Sequence, residues 1–142
     1  MSVSYRGRFA PTPTGPLHLG SLVTAMASFL EARQHRGDWL LRIDDLDQAR
    51  CRPDAAVQII QMLHRLGFHW QEPVQYQNQH QSAYLEALAR LRADDLLYNC
   101  QCSRQQLRGQ SRYPGTCRIL NLPDAVDYAV RIRTHHHAIT VA

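Results

Sequence analysis

The chain contains no lysine; all 16 of its basic residues are arginine. Neither G-x-x-x-x-G-K-[ST] nor G-x-G-x-x-G occurs in it, which removes the two common glycine-rich phosphate cradles. No apolar run approaches the roughly 18 residues that a membrane span needs. The opening stretch from Met1 to Arg8 is polar and lacks the apolar centre of a secretory signal. The expected compartment is therefore the cytoplasm, with no membrane partner. No internal repeat and no low-complexity linker interrupts the chain. There are only four cysteines, and a cytosolic protein rarely uses such a set as a disulfide framework.

What is present fits one compact α/β domain. A length of 142 residues allows one sizeable core. The net charge of +4 permits a polyanionic partner without establishing one. Arginine suits bidentate phosphate contacts and stacking on bases, although a GC-rich coding bias is the simpler cause of its excess over lysine. Tyr5 to Ala10 reads as a first strand. Leu22, Val23, Met26, Phe29, Leu30 and Arg33 have helical spacing, with Gly37 as the stop. Trp39 to Ile43 is an apolar run of strand length. Together these make a β–α–β unit, the start of a doubly wound parallel sheet, in which ligands sit beyond the carboxyl ends of the strands. Pro53 and Asp54 open a second helix with the stripe Ala56, Ile59, Ile60, Leu63 and Leu66, closed by Gly67. Tyr84, Leu85, Leu88 and Leu91 mark a third helix. Leu96 to Tyr98 is a short extended piece. Tyr128, Val130 and Ile132 alternate with Ala129, Arg131 and Arg133, which predicts a strand with one polar face.

Three segments carry chemistry. The first is the turn between strand and helix, Arg8-Phe9-Ala10-Pro11-Thr12-Pro13-Thr14-Gly15-Pro16-Leu17-His18-Leu19-Gly20-Ser21. Proline and glycine force an irregular path, and a helix opening near His18 to Gly20 offers free N–H groups and positive potential to an anion. His18 adds a ring donor there. Gly20 lets a ligand approach the backbone. The second is Arg42-Ile43-Asp44-Asp45-Leu46-Asp47, at the end of the second strand. Three carboxylates this close repel unless a cation or donor is near. Arg42, Arg8 and the amine of a bound amino acid are the candidates. The third is Cys100-Gln101-Cys102 with Cys117, a spacing that resembles a small zinc knuckle. The fourth ligand is left to Tyr113, a histidine or water. Cys51 has no evident partner. His135-His136-His137 is read as a solvated strand end or loop, because adjacent side chains diverge.

The long turn string, with His18-Leu19-Gly20-Ser21 in the place of the "HIGH" signature, resembles the class I aminoacyl-tRNA synthetases. The acidic segment resembles the Arg-Ile-Glu-Asp-x-Asp stretch of the glutamyl type. The ending Tyr113-Pro-Gly-Thr-Cys117-Arg resembles the zinc site of the glutamyl-queuosine tRNA(Asp) synthetases, a paralogous branch of the glutamyl-tRNA synthetases without the anticodon-binding domain. Ordinary glutamyl-tRNA synthetases with zinc commonly end the ligand set with Cys and His, so the tyrosine favours the queuosine branch. The resemblance runs from about Tyr5 to Arg133. It implies a Rossmann-like (HUP-type) parallel-sheet catalytic domain with a small zinc insertion. The implied segments are residues 1–97 for nucleotide and amino acid, 98–120 for zinc, and 121–142 for the start of the next catalytic segment.

By the same resemblance His18, Gly20 and Ser21 are catalytic, and Pro11, Thr12, His18 and Gly20 bind ATP. Arg8, Phe9, Ala10, Pro11, Thr12 and Asp44 bind glutamate; Asp44 stands one methylene shorter than the usual Glu. Cys100, Cys102, Tyr113 and Cys117 hold one structural Zn²⁺. ATP with Mg²⁺, L-glutamate and tRNA(Asp) carrying queuosine are the implied substrates, and a monomer is expected. The family's second signature, "KMSKS", cannot exist in a chain without lysine. With the interrupted ending Ile139-Thr140-Val141-Ala142, this reads as the N-terminal portion of a longer enzyme or an incomplete gene product, with weak binding and poor turnover alone. A fragment of an ordinary glutamyl-tRNA synthetase and a non-catalytic zinc-stabilised RNA-binding module are the alternatives. A nucleotidyltransferase of the HxGH type has no need of the acidic cluster or the thiols.

Overall fold

The computed structural model describes residues 4–125 and 127–134. The expected readings of His135 to His137 and of the ending at Ile139 to Ala142 lie outside them. The chain divides into two compact units, the first ending at Gln81 and the second beginning at Ser82. This division falls before the expected 97/98 boundary, because the third helix leads directly into a strand that pairs within the second unit.

The first unit is a three-stranded parallel sheet in the order β1-β2-β3, formed by β1 (Arg6–Phe9), β2 (Asp38–Ile43) and β3 (Gln75–Tyr76). Helix α1 (Leu19–Gln34) connects β1 to β2, and α2 (Ala55–Arg65) lies between β2 and β3. β1 and β2 pair in register from Arg6 with Asp38 to Phe9 with Leu41. β2 alternates, burying Trp39, Leu41 and Ile43. The core gathers on Trp39. Its indole N–H donates to Ser28 Oγ at 2.9 Å, and the rings of Phe29 and Phe68 lie 5.2 and 5.5 Å away. α2 buries Ala55, Ile59 and Leu63, one stripe of a regular helix. Gly67, at φ +83°, ends it in the left-handed conformation that glycine adopts without penalty. The two-residue β3 carries too little pattern to be read from sequence.

α1 has the expected extent but buries an unexpected face. Val23, Met26 and Leu30 are exposed, while Ala25 and Ala32 are buried. The reason is close approach: a Cβ on Gly7 would sit 3.2 Å from Ser28 O and 3.3 Å from Ala32 Cβ, so only small residues fit between helix and sheet. Gly37 is tighter still. Its N–H bonds Ala32 O, the Asp38 N–H bonds Tyr5 O, and any Cβ on Gly37 would fall on the Tyr5 carbonyl. Gly37→Ala is expected to cost about 3 kcal/mol, since backbone must move to admit it. Gly15→Ala, with open space around it, is the control. Urea unfolding monitored by tryptophan fluorescence measures both, because Trp39 and Trp70 both lie in this unit.

The second unit contains α3 (Gln81–Ala93) and an antiparallel pair, β4 (Leu97–Cys100) with β5 (Ala129–Ile132). The third helix and both extended pieces were legible in sequence, but the pairing was not. Among the described hydrophobic residues of this unit only Cys100 and Cys117 are buried; Tyr84, Leu85 and Leu88 of α3 are exposed. The expected polar face of β5 is the inner one. Arg131 and Arg133 are half-buried over the rings of Tyr113 and Tyr98, and Val130 and Ile132 face outward. A planar guanidinium packs on an aromatic ring as readily as an aliphatic chain does. No helix among the described residues is long and apolar enough to cross a membrane.

Candidate active site and metal centre

In the first unit, the turn after β1 walls a cleft of about 340 Å³. Phe9, Ala10, Pro11, Thr12, His18 and Ser21 line it, with Thr14 and Leu17 of the same turn and Thr24 of α1. Buried Pro11 and Pro13 alternate with exposed Thr12 and Thr14, so the hydroxyls face outward. His18 is the N-cap of α1. Its Nδ1 accepts the Ser21 N–H at 3.2 Å, and its Nε2 lies 3.2 Å from Ser21 Oγ. The ring therefore folds onto its own helix end. A Cβ on Gly20 would come within 3.1 Å of His18 Cε1, so the immediate role of this glycine is to make room for the imidazole. Ser21 N–H is held by the ring and Leu22 N–H by the His18 carbonyl. Among the described residues, the N–H groups of Leu19 and Gly20, in the first helical turn, have no acceptor.

The acidic segment is latched to this turn through backbone. Asp44 N–H donates to Pro11 O at 3.0 Å, and Arg52 N–H to Pro13 O at 2.9 Å. Each carboxylate has its own donor, which removes the repulsion that the spacing suggests. Arg42 grips Asp44 through two bonds, at 2.6 and 3.2 Å. Asn78 N–H bonds Asp45 at 2.9 Å, and Arg50 bonds Asp47 at 2.6 Å. Arg42 was a sequence candidate for this task; Asn78, far along the chain, was not. Arg8 is exposed on β1 and, among the described residues, makes no ion pair or side-chain hydrogen bond. Neither Arg8 nor Asp44 lines the cleft. The start of α1 is what this arrangement offers an anion.

In the second unit, the Sγ atoms of Cys100, Cys102 and Cys117 lie within 4.8 Å of one another, with Cys102 and Cys117 3.5 Å apart. The Tyr113 hydroxyl is 3.2 Å from Cys100 Sγ and 3.8 Å from Cys102 Sγ, and it accepts the Cys117 N–H at 3.0 Å. Zn–S bonds of about 2.3 Å in a tetrahedron put sulfurs about 3.8 Å apart, so three thiols and a phenol this close match the edges of such a site. Gly115, at φ +82°, turns the chain so that Cys117 returns to Tyr113. Burial pushes the Cys100 thiol up, but hydrogen bonds from Tyr113, Arg131 and Cys102 outweigh it and bring it down to about 6. Cys102 is pushed up, first by its bond with Cys117 and then by burial. Burial, followed by the bond to Cys100, raises Tyr113. The Cys100 thiol is thus lowered while Cys102 and Tyr113 are raised. Cys51 stands apart from this group, beside the acidic segment, where burial and then Asp45 and Asp47 raise its thiol.

A parallel sheet with a proline- and glycine-rich turn at its carboxyl edge is the architecture of an α/β ligand-binding unit. The family described as "tRNA synthetases class I (E and Q), catalytic domain" matches residues 4–119, and the chain belongs to it. Glutamyl-Q tRNA(Asp) synthetase from Cupriavidus metallidurans is 52% identical over 128 residues, covering 83% of this chain and 41% of that protein. The protein of the same name from a Synechococcus is 45% identical, covering 96% and 48%. The glutamate-tRNA synthetase structure from Elizabethkingia anophelis superposes with a TM-score of 0.66 at 32% identity, covering 74% of this chain and 23% of that one. The chain thus spans less than half the length of the curated relatives it matches.

Proposed function

We propose that this chain belongs to an enzyme that activates glutamate with ATP and transfers it to queuosine in tRNA(Asp). The glutamate α-carboxylate oxygen attacks the α-phosphorus of ATP. Glutamyl-adenylate forms, and pyrophosphate leaves with its charge and its Mg²⁺. A hydroxyl of the queuosine ring then attacks the acyl carbon, and AMP departs. Such chemistry depends on positioning and on charge stabilisation. The N–H groups at the start of α1 and the ring of His18 meet the phosphates, with Gly20 and Ser21 setting the ring. Pro11 and Thr12 shape the seat. Arg8 takes the glutamate side-chain carboxylate, since the α-carboxylate is the reacting one. Asp44, oriented by Arg42, takes the ammonium, and its two oxygens have lone pairs beyond those Arg42 occupies.

Cys100, Cys102, Tyr113 and Cys117 would hold a structural Zn²⁺, which supplies a crosslink and no step of the reaction. From Leu96 to Pro123 the chain has Arg104, Arg108, Arg112 and Arg118 and no acidic residue, a composition suited to the RNA partner. The observation that carries the queuosine branch over the ordinary glutamyl type is the Tyr113 hydroxyl, 3.2 Å from a cysteine sulfur, in a ligand set that ends in Tyr and Cys where the latter commonly ends in Cys and His.

The test is glutamate-dependent ATP–pyrophosphate exchange by the gene product, followed by transfer of labelled glutamate. Label should reach queuosine-containing tRNA(Asp) and neither unmodified tRNA(Asp) nor tRNA(Glu). Charging of tRNA(Glu) instead would move the protein to the ordinary branch. RNA binding with no exchange at all would reduce it to a binding module.

A further inference from the structure

We infer that Arg131 is the positioning cation of the metal centre: it holds Tyr113 in the ligand set and balances the charge that the set collects. The inference rests on the metal reading above and extends it to a residue outside the cysteine–tyrosine spacing. Three thiolates and a phenolate around Zn²⁺ leave a net charge of minus two. A site with that excess needs a cation close by, and ligands are commonly oriented by partners just outside the metal's own contacts.

Arg131 occupies that place. Its register partner on β4 is Tyr98, two residues before Cys100. Its guanidinium carbon lies 4.2 Å from the centre of the Tyr113 ring, whose hydroxyl is 3.2 Å from the Cys100 sulfur. One side chain thus covers the donor whose hydroxyl meets two of the three sulfurs. Seven other arginines among the described residues pair with carboxylates, whereas Arg131 pairs with none. Its Nε is buried with no acceptor. No acidic residue lines the cavity of about 370 Å³ beside it. A half-buried guanidinium with an orphaned N–H and no carboxylate is costly unless its anion is something else. The sulfur–phenol cluster is the anion in reach. Stacking fixes the plane of the Tyr113 ring, which keeps the hydroxyl aimed at Cys100 and Cys102.

The experiment measures Zn²⁺ affinity of the 142-residue chain by competition with a chromophoric chelator, and the visible spectrum of the Co²⁺-loaded form. Arg131→Gln should weaken Zn²⁺ binding by about 10- to 100-fold. Its Co²⁺ spectrum should also lose the intensity of a tetrahedral site, as water replaces the phenol. Arg131→Lys, which keeps the charge but not the planar stack, should recover part of the affinity and so guards against a misfolded glutamine variant. Arg108→Gln removes an equal charge from an exposed position of the same unit and should leave binding within about 2-fold. On a Tyr113→Phe background the Arg131→Gln loss should shrink, because the two residues act as one. Equal losses from Arg108→Gln and Arg131→Gln, or full additivity with Tyr113→Phe, would overturn the role of Arg131. A wild-type chain that takes up no Zn²⁺ would instead remove the metal reading itself.

Discussion

Chelation is expected to unfold the second unit of the zinc-loaded chain and to leave the first folded. The reason is the distribution of buried apolar surface. The first unit has a core of nine buried residues centred on Trp39. The second buries only Cys100 and Cys117 among its described hydrophobic residues, and α3 keeps Leu85 and Leu88 exposed. A unit of that size with no apolar core does not offset the conformational entropy of ordering its chain. A metal does: structural Zn²⁺ in small domains supplies about 10–16 kcal/mol at neutral pH, and that binding energy is folding energy. The four-residue pairing of β4 with β5 and the loop between Cys102 and Cys117 then close around one ion. Cys117→Ser should reproduce the effect, since it deletes a buried sulfur ligand. Amide exchange of β4 and β5 should rise to unprotected rates on chelation, while β2 amides stay protected and Trp39 and Trp70 keep their emission. Equal protection of both units with and without metal would sink the structural role of the ion.

Arg8→Ala is expected to raise the KM for glutamate about 100-fold in the exchange reaction while leaving the KM for ATP nearly unchanged. Arg8 is exposed on β1 and has no carboxylate partner among the described residues, so its guanidinium is offered to a ligand. A charge-assisted bond to a carboxylate contributes about 1.5–3 kcal/mol, which corresponds to roughly 10- to 150-fold in binding. The loss should fall mainly on binding, because the side-chain carboxylate of glutamate is present equally before and during the reaction. Arg8→Lys should recover little, since a point charge does not match a planar carboxylate. The variant should also discriminate less against glutamine, whose amide needs no cation. His18→Ala should behave oppositely, lowering kcat by about 100-fold with a small change in glutamate KM, because the additional charge on the leaving pyrophosphate develops only along the reaction path. An Arg8→Ala enzyme with unaltered glutamate KM would dismiss Arg8 as the carboxylate fork.

The two halves of the chain were legible to different degrees. β1, α1, β2 and α2 follow from alternation, helical spacing and the stops at Gly37 and Gly67, which are local properties of the backbone. The face that α1 buries did not follow. Val23, Met26 and Leu30 point outward, and Ala25 and Ala32 turn inward because Gly7 brings the sheet within contact of Ala32. The acidic segment looked self-repelling. Its neutralisation by the Asn78 N–H depends on a residue 33 positions away, which no spacing rule reports.

By itself, the sequence determined the order of strands and helices, the turn that opens α1, and the donor types that meet in the second unit. Periodicity, proline, glycine and the identity of each side chain are local and need no partner to act. Only the tertiary structure decided that Pro11 and Asp44 are latched backbone to backbone, that His18 lies against Ser21, and that Arg131 covers Tyr113. Each of those depends on distant segments meeting at a few ångströms, and such meetings are set by how the whole chain excludes water rather than by any one stretch of it.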